Sequence, residues 1–217
     1  MKNIAIDGPA GAGKSSIAKL VAKKLGIVYV DTGAMYRAMA LACLDQGVEL
    51  EDEAAVSGVI EKAVIEIRYE DGTQLVILDG ADVSTTIREE RVGNGASVIA
   101  RYTAGRERLV ALQRELAAKQ DVIMDGRDIG TVVLPDASCK IFLTASSRVR
   151  AERRYKELVE KGQPCDLDEI EKDIIARDEQ DMNRAVSPLK KAEDAILVDT
   201  SDMTIDEVVA RILELCG

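Results

Sequence analysis

The stretch NIAIDGPAGAGKSS, residues 3–16, leaves little freedom in how the chain around it can fold. Its first five residues, mostly apolar, read as a buried strand. They run straight into a G-x-x-x-x-G-K-S string formed by Gly8, Gly13, Lys14 and Ser15. Behind that string Ile17, Leu20, Val21 and Leu25 recur at helical spacing, and Gly26 supplies a stop. A strand, a glycine-rich turn and a helix N-terminus in that order make a phosphate cradle. The glycines let amide groups turn inward, and the helix end adds partial positive charge. In this pattern Lys14 is expected at the β and γ phosphates of a nucleotide and the Ser15 hydroxyl on Mg²⁺.

Such a unit needs parallel neighbours. Short apolar runs at 27–30 (IVYV), 121–125 (DVIMD), 140–144 (KIFLT) and 195–199 (AILVD) alternate with longer helical patterns. They predict an α/β, P-loop three-layer fold with a five-stranded parallel sheet of buried strands covered on both faces. Residues 63–88 break the rhythm with two alternating runs that meet at Asp71-Gly72, a hairpin signal, and predict a small antiparallel insertion. Helical patterns follow from about 89 to 119, with Leu109, Leu112 and Leu116 on one face. No repeat or low-complexity linker interrupts the chain, so one domain over 1–217 is expected.

The sequence contains no histidine, which removes Ser-His-Asp, Cys-His and most imidazole mechanisms. Any catalysis must run on carboxylates, lysine, arginine and metal. The four cysteines lie far apart without a C-x-x-C pair and are expected to be reduced, structural thiols. A net charge of −10 argues against a nucleic-acid partner. No run approaches eighteen apolar residues, and Met1-Lys2 passes directly into the first strand without a signal-peptide core. The expectation is a cytoplasmic protein with no membrane partner, a monomer by default.

A phosphate loop serves ATPases, GTPases, kinases and switches alike. Neither the N-K-x-D nor the D-x-x-G string of a GTPase occurs. A kinase needs a second site for an acceptor, with cations to neutralise charge in the transition state. DTGAMYR, Asp31 to Arg37, follows the second strand, at the edge where open α/β sheets bind ligands. There Thr32, Tyr36 and Arg37 offer a hydroxyl, an aromatic edge and a guanidinium fork suited to a phosphate monoester. DGRDIG, Asp125 to Gly130, falls at the same edge after the third strand. Asp125 could hold a Mg²⁺-bound water, and Arg127 could clamp a phosphate.

Further on, SSRVRAERR gathers Arg148, Arg150, Arg153 and Arg154 at a helix start, with Ser146 or Ser147 as the cap. The patch is expected to face ATP, the alternative being a solvated face paired with Glu152 and Glu157. Arg177, Asp181 and Arg184 lie at 0, +4 and +7, which places them on one helical stripe.

With these residues in view, the strings IDGPAGAGKSS, DTGAMYR, NGAS, DGRDIGTVVLPDA, KIFLTAS, RAERR and RDEQDMNRAVSPL, taken in order, resemble the bacterial cytidylate kinases. These belong to the nucleoside monophosphate kinase group of P-loop proteins, and the likeness covers essentially the whole chain. It implies transfer of the ATP γ phosphate to CMP or dCMP in pyrimidine nucleotide metabolism, with Mg²⁺ as cofactor. It also implies a nucleotide-binding insertion at about 33–105 and a lid at about 148–184. By the same resemblance Gly8, Pro9, Ala10, Gly11, Ala12, Gly13, Lys14, Ser15, Ser16 and Arg153 would bind ATP, and Ser15 and Asp125 (through water) the metal. Thr32, Tyr36, Arg37 and Arg127 would address the acceptor phosphate, and Ser97, Arg106 and Asp128 would read cytosine. Arg177 and Asp181 would meet the sugar, and Arg184 the phosphates. Lys14, Arg127, Arg150, Arg154 and Arg184 would act in catalysis. The one mild departure is Thr32, where some relatives have Ser, and the hydroxyl is kept. The competing readings are another P-loop small-molecule kinase and a non-catalytic nucleotide-dependent switch.

Overall fold

The computed structural model describes residues 1–70 and 72–217. The chain forms two compact units, Met1–Ile27 with Asp121–Gly217, and Val28–Gln120.

In the first unit, β1 (Asn3–Asp7), β6 (Val122–Gly126), β7 (Cys139–Thr144) and β8 (Ile196–Asp199) carry four of the five expected strands. β2 (Val28–Asp31), which opens the second unit, is the fifth, and within the first unit the strands run β6-β1-β7-β8. β1 pairs in parallel with β6 (Ile6 opposite Asp125) and with β7, as β7 does with β8. Ile4, Ala5 and Ile6 are all fully buried. Successive strand residues point to opposite faces, so both faces of the central strand are covered. The expectation of five buried strands fails at β8. That strand ends the sheet, and Ile196 and Leu197 are exposed while Val198 is buried.

Helix α1 (Lys14–Leu25) stops at Gly26, whose φ of 67° and N–H bond to the Ala22 carbonyl are those of a left-handed cap. It packs with α8 (Ile205–Cys216) beside β1, β6 and β7. Helix α6 (Ser147–Glu160) begins at Ser146, which accepts from the Val149 N–H, and packs against α7 (Leu167–Asn183). The cysteine expectation is corrected here: Cys139 and Cys216 form a disulfide, while Cys43 and Cys165 are free. The pairing joins β7 to the end of α8 across 77 residues, a neighbourhood that sequence spacing does not reveal.

The second unit follows β2 with α2 (Thr32–Asp45) and α3 (Glu53–Ile60). A three-stranded antiparallel sheet comes next, formed by β3 (Ile65–Glu70), β4 (Thr73–Leu78) and β5 (Ala81–Asp82). Then come α4 (Glu90–Ile99) and α5 (Thr103–Lys119). The expected insertion is therefore present, with a third short strand beyond the hairpin. Of its expected turn, Asp71 lies outside the described residues. Gly95 lets α4 approach α2 closely, since a Cβ there would stand 3.2 Å from that of Ala40.

Candidate active site

In the first unit, the loop from Gly8 to Gly13 leaves the carboxyl end of β1. Gly8 has φ 151°, and a Cβ on it would lie 1.9 Å from the Leu143 carbonyl oxygen, so only glycine fits. Gly13 caps α1 without a side-chain bond, and no acidic residue occupies the first turn. The amides of that turn are thus open to an anion rather than spent on a side chain. Lys14 is buried and donates to the Pro9 carbonyl at 2.7 Å. Burial, reinforced by the Arg127 guanidinium, pulls the Lys14 ammonium down to about 7 against the attraction of Asp125, Asp7 and Asp181.

The Ser15 hydroxyl donates to buried Asp125 at 2.8 Å. The two expected magnesium residues are therefore adjacent, and both present oxygen. After β6 the chain passes through Arg127 and Asp128 into one π-helical turn, Ile129–Val133. In it the Asp128 carbonyl accepts from Val133 and the Ile129 carbonyl from Leu134. Arg127 donates to Asp181 at 2.7 Å, and Arg184 stands 3.8 Å from the buried Asp128 carboxylate. The stripe of Arg177, Asp181 and Arg184 is only partly helical. α7 ends at Asn183, and Arg184 has extended backbone (ψ 142°), which returns its side chain toward Asp128. Arg177 is exposed.

The arginines of α6 do not form one patch. Arg148 pairs with Asp168 and Glu171, and Arg154 with Glu157, all at the surface. Arg153 donates to the Thr200 carbonyl at 2.8 Å. Arg150 is buried, held by Asp178 through two bonds of 3.1 and 2.5 Å, and donates also to the Ala145 and Ala10 carbonyls at 2.9 Å each.

In the second unit, Asp31 caps α2 by accepting from the Ala34 N–H. The same carboxylate holds Arg37 and Arg88, each at 3.1 Å. Thr32 is buried in the first turn of α2, and Ser97 is half-buried on α4. The buried Arg106 guanidinium lies 5.8 Å from the Tyr36 ring centre.

Sequence reasoning singled out neither Asp7 nor Asp178. Asp7 accepts the Ile129 and Gly130 amides at 2.7 Å each. Burial pushes its carboxyl up to about 6, although both amides and Lys14 favour the charged form. A carboxylate closing an apolar strand directly before Gly8 was the available signal. Asp178 had none beyond its place beside Arg177.

A glycine-rich loop between strand and helix, with its lysine, serine and strand-end aspartate in register, defines a P-loop nucleotide-binding protein. A family model described as cytidylate kinase matches residues 4–217. A cytidylate kinase of Lactobacillus gasseri is 53% identical over 215 residues, spanning 99% of this chain and 94% of that one. One from a Geobacillus species is 51% identical over 212 residues, spanning 98% and 95%. The chain belongs to the cytidylate kinase family. Among solved structures, a shikimate kinase from Bacteroides thetaiotaomicron matches with a TM-score of 0.50 at 16% identity, over 99% of this chain and 97% of that one. An uncharacterized protein from Eubacterium ventriosum gives 0.56 at 12%, with the same coverages. At those identities the likeness is one of fold alone.

Proposed function

We propose that this kinase transfers the γ phosphate of ATP to the phosphate of CMP or dCMP, giving ADP and CDP or dCDP. The observation that carries the reading is one interlocked set of charges in the first unit: Lys14, the Ser15–Asp125 pair, Arg127 with Asp181, and Asp128 with Arg184. Positioning and charge neutralisation are what phosphoryl transfer requires of a protein, and the acceptor phosphate is already a nucleophile, so no histidine base is needed.

The loop from Gly8 to Ser16 wraps the ATP phosphates, and Lys14 releases the Pro9 carbonyl to meet them. Ser15 and, through water, Asp125 would hold magnesium, an assignment supported by two adjacent oxygen donors. A hard cation of this kind is held chiefly by substrate phosphates and water, with few protein ligands. When bound, it would neutralise part of the charge on the transferring phosphate.

On the acceptor side, Thr32, Tyr36, Arg37 and Arg127 address the phosphate, Arg177 and Asp181 the sugar, and Arg184 the phosphates. Asp128 accepts from the exocyclic amine of cytosine, and Ser97 and Arg106 donate to its N3 and O2. UMP would set a carbonyl oxygen against the Asp128 carboxylate, an unmatched buried pair costing about 1–3 kcal/mol.

The lid arginines divide by what it costs to move them. Arg154 leaves an exposed partner, a pair worth about 0–1 kcal/mol, so it is the group that swings to the phosphates. Arg150 sits in a buried pair and stays, fixing the Ala10 carbonyl of the loop, while Arg153 serves ATP from the same helix. Lys14→Ala should lower kcat with a modest change in the KM for CMP, and Asp128→Ala should raise that KM. Wild-type CMP kinetics in both variants would refute the assignment.

A further inference from the structure

We propose that Asp7 is a positioning residue: by clamping the Ile129 and Gly130 amides it sets the direction of Asp128 and Arg127. The inference rests on the reading of those two residues as acceptor-binding groups.

The π-helical turn after β6 begins with amides that have no partner within the turn, as every helical start does. Asp7 reaches across from the end of β1 and supplies both oxygens, Oδ1 to Ile129 and Oδ2 to Gly130. A two-point hold fixes rotation as well as position. Asp128 immediately precedes the held amides, and its backbone (φ −146°, ψ 25°) is neither helical nor extended. Space around the hold is tight: a Cβ on Gly130 would stand 3.3 Å from Asp7 Oδ2 and 3.2 Å from Lys140 Cδ.

The residue on the other side of Asp7 is Gly8, where the phosphate loop starts and where the Leu143 carbonyl allows no side chain. One strand end therefore launches the ATP loop through its backbone and holds the turn bearing Arg127 and Asp128 through its side chain. A carboxylate is the side chain for this task. Asn has nearly the same shape but would turn an NH₂ toward one of the two N–H groups.

The test is steady-state kinetics of Asp7→Asn, with CMP and UMP as acceptors, beside amide hydrogen exchange. The clamp predicts a KM for CMP raised at least tenfold, a CMP-over-UMP preference reduced by a similar factor, and a KM for ATP within twofold of wild type. Asp7→Glu, which keeps both oxygens, should recover part of the preference. Equal rises in both KM values, or an unchanged preference, would overturn the proposal. Asp128→Ala in the same assay separates the two ideas. Preference lost there but kept in Asp7→Asn overturns the clamp alone, and preference kept in both overturns the base reader and the clamp together. Should Asp7→Asn fail to fold, exchange in the wild-type protein decides. Protected Ile129 and Gly130 amides support the hold, and exchange at the rate of open loops overturns it.

Discussion

Removing Asp178 tests how far buried charge organises the phosphate loop. Arg150 is buried with side-chain exposure of 5%, and Asp178 with 13%. Of the hydrogen bonds the guanidinium makes, Asp178→Ala deletes the two charge-assisted ones and leaves those to the Ala145 and Ala10 carbonyls. An uncompensated buried charge costs about 3–5 kcal/mol. For a chain of this size, each kcal/mol lowers Tm by about 2–4 °C, so the variant should melt roughly 6–20 °C lower. Urea unfolding followed by circular dichroism, without nucleotide, gives the free energy directly, since bound ligand would add its own stabilisation. Replacing both partners by apolar residues of similar size, Arg150→Met with Asp178→Leu, should recover all but about 1 kcal/mol, because the desolvation cost disappears with the charges. A loss under about 1 kcal/mol for Asp178→Ala would refute the reasoning, as would a double variant no better than the single.

Gly8→Ala should abolish ATP binding, since the added methyl meets the Leu143 carbonyl at 1.9 Å. Wild-type affinity by calorimetry would contradict the loop geometry. Asp7 titrates at about 6 when folded against 3.8 when free, so between those values the folded state binds the proton first and stability from this group rises as pH falls. The wild type should gain about 1 kcal/mol on Asp7→Asn between pH 7 and pH 5 in urea unfolding, and a flat difference would exclude the shift. Lys14 runs the other way. Held near 7 in the free protein, it is mostly neutral at pH 8 and must charge to meet phosphate. ATP binding at pH 8 should then take up close to one proton, read from calorimetry in buffers of different ionisation enthalpy, and no uptake would contradict a depressed lysine.

The parts legible in the sequence were those whose signal is local. The strand, loop and α1 announced themselves within residues 3–26, and the alternating insertion strands were equally local, while the cap of α6 was narrowed to Ser146 or Ser147, of which the structure uses Ser146. What stayed hidden depends on neighbours distant in the chain. Asp7 meets the Ile129 and Gly130 amides over 122 and 123 residues, and Cys139 meets Cys216 over 77. AILVD reads as a buried strand because composition cannot say that β8 ends the sheet. Arg184 reads as helical because spacing continues past the point where α7 stops. Spacing also shows arginines on α6 without their partners. Asp178, Thr200 and Glu157 send three of them to different places.

The central claim is a kinase that reads cytosine. Its most direct test is ADP release from ATP and Mg²⁺ with CMP, dCMP, UMP, AMP and shikimate offered separately. Fast release with CMP and dCMP, and slow release with the other three, is the predicted result. Comparable release with UMP, AMP or shikimate would contradict the base assignment, and none with any acceptor would contradict the kinase itself.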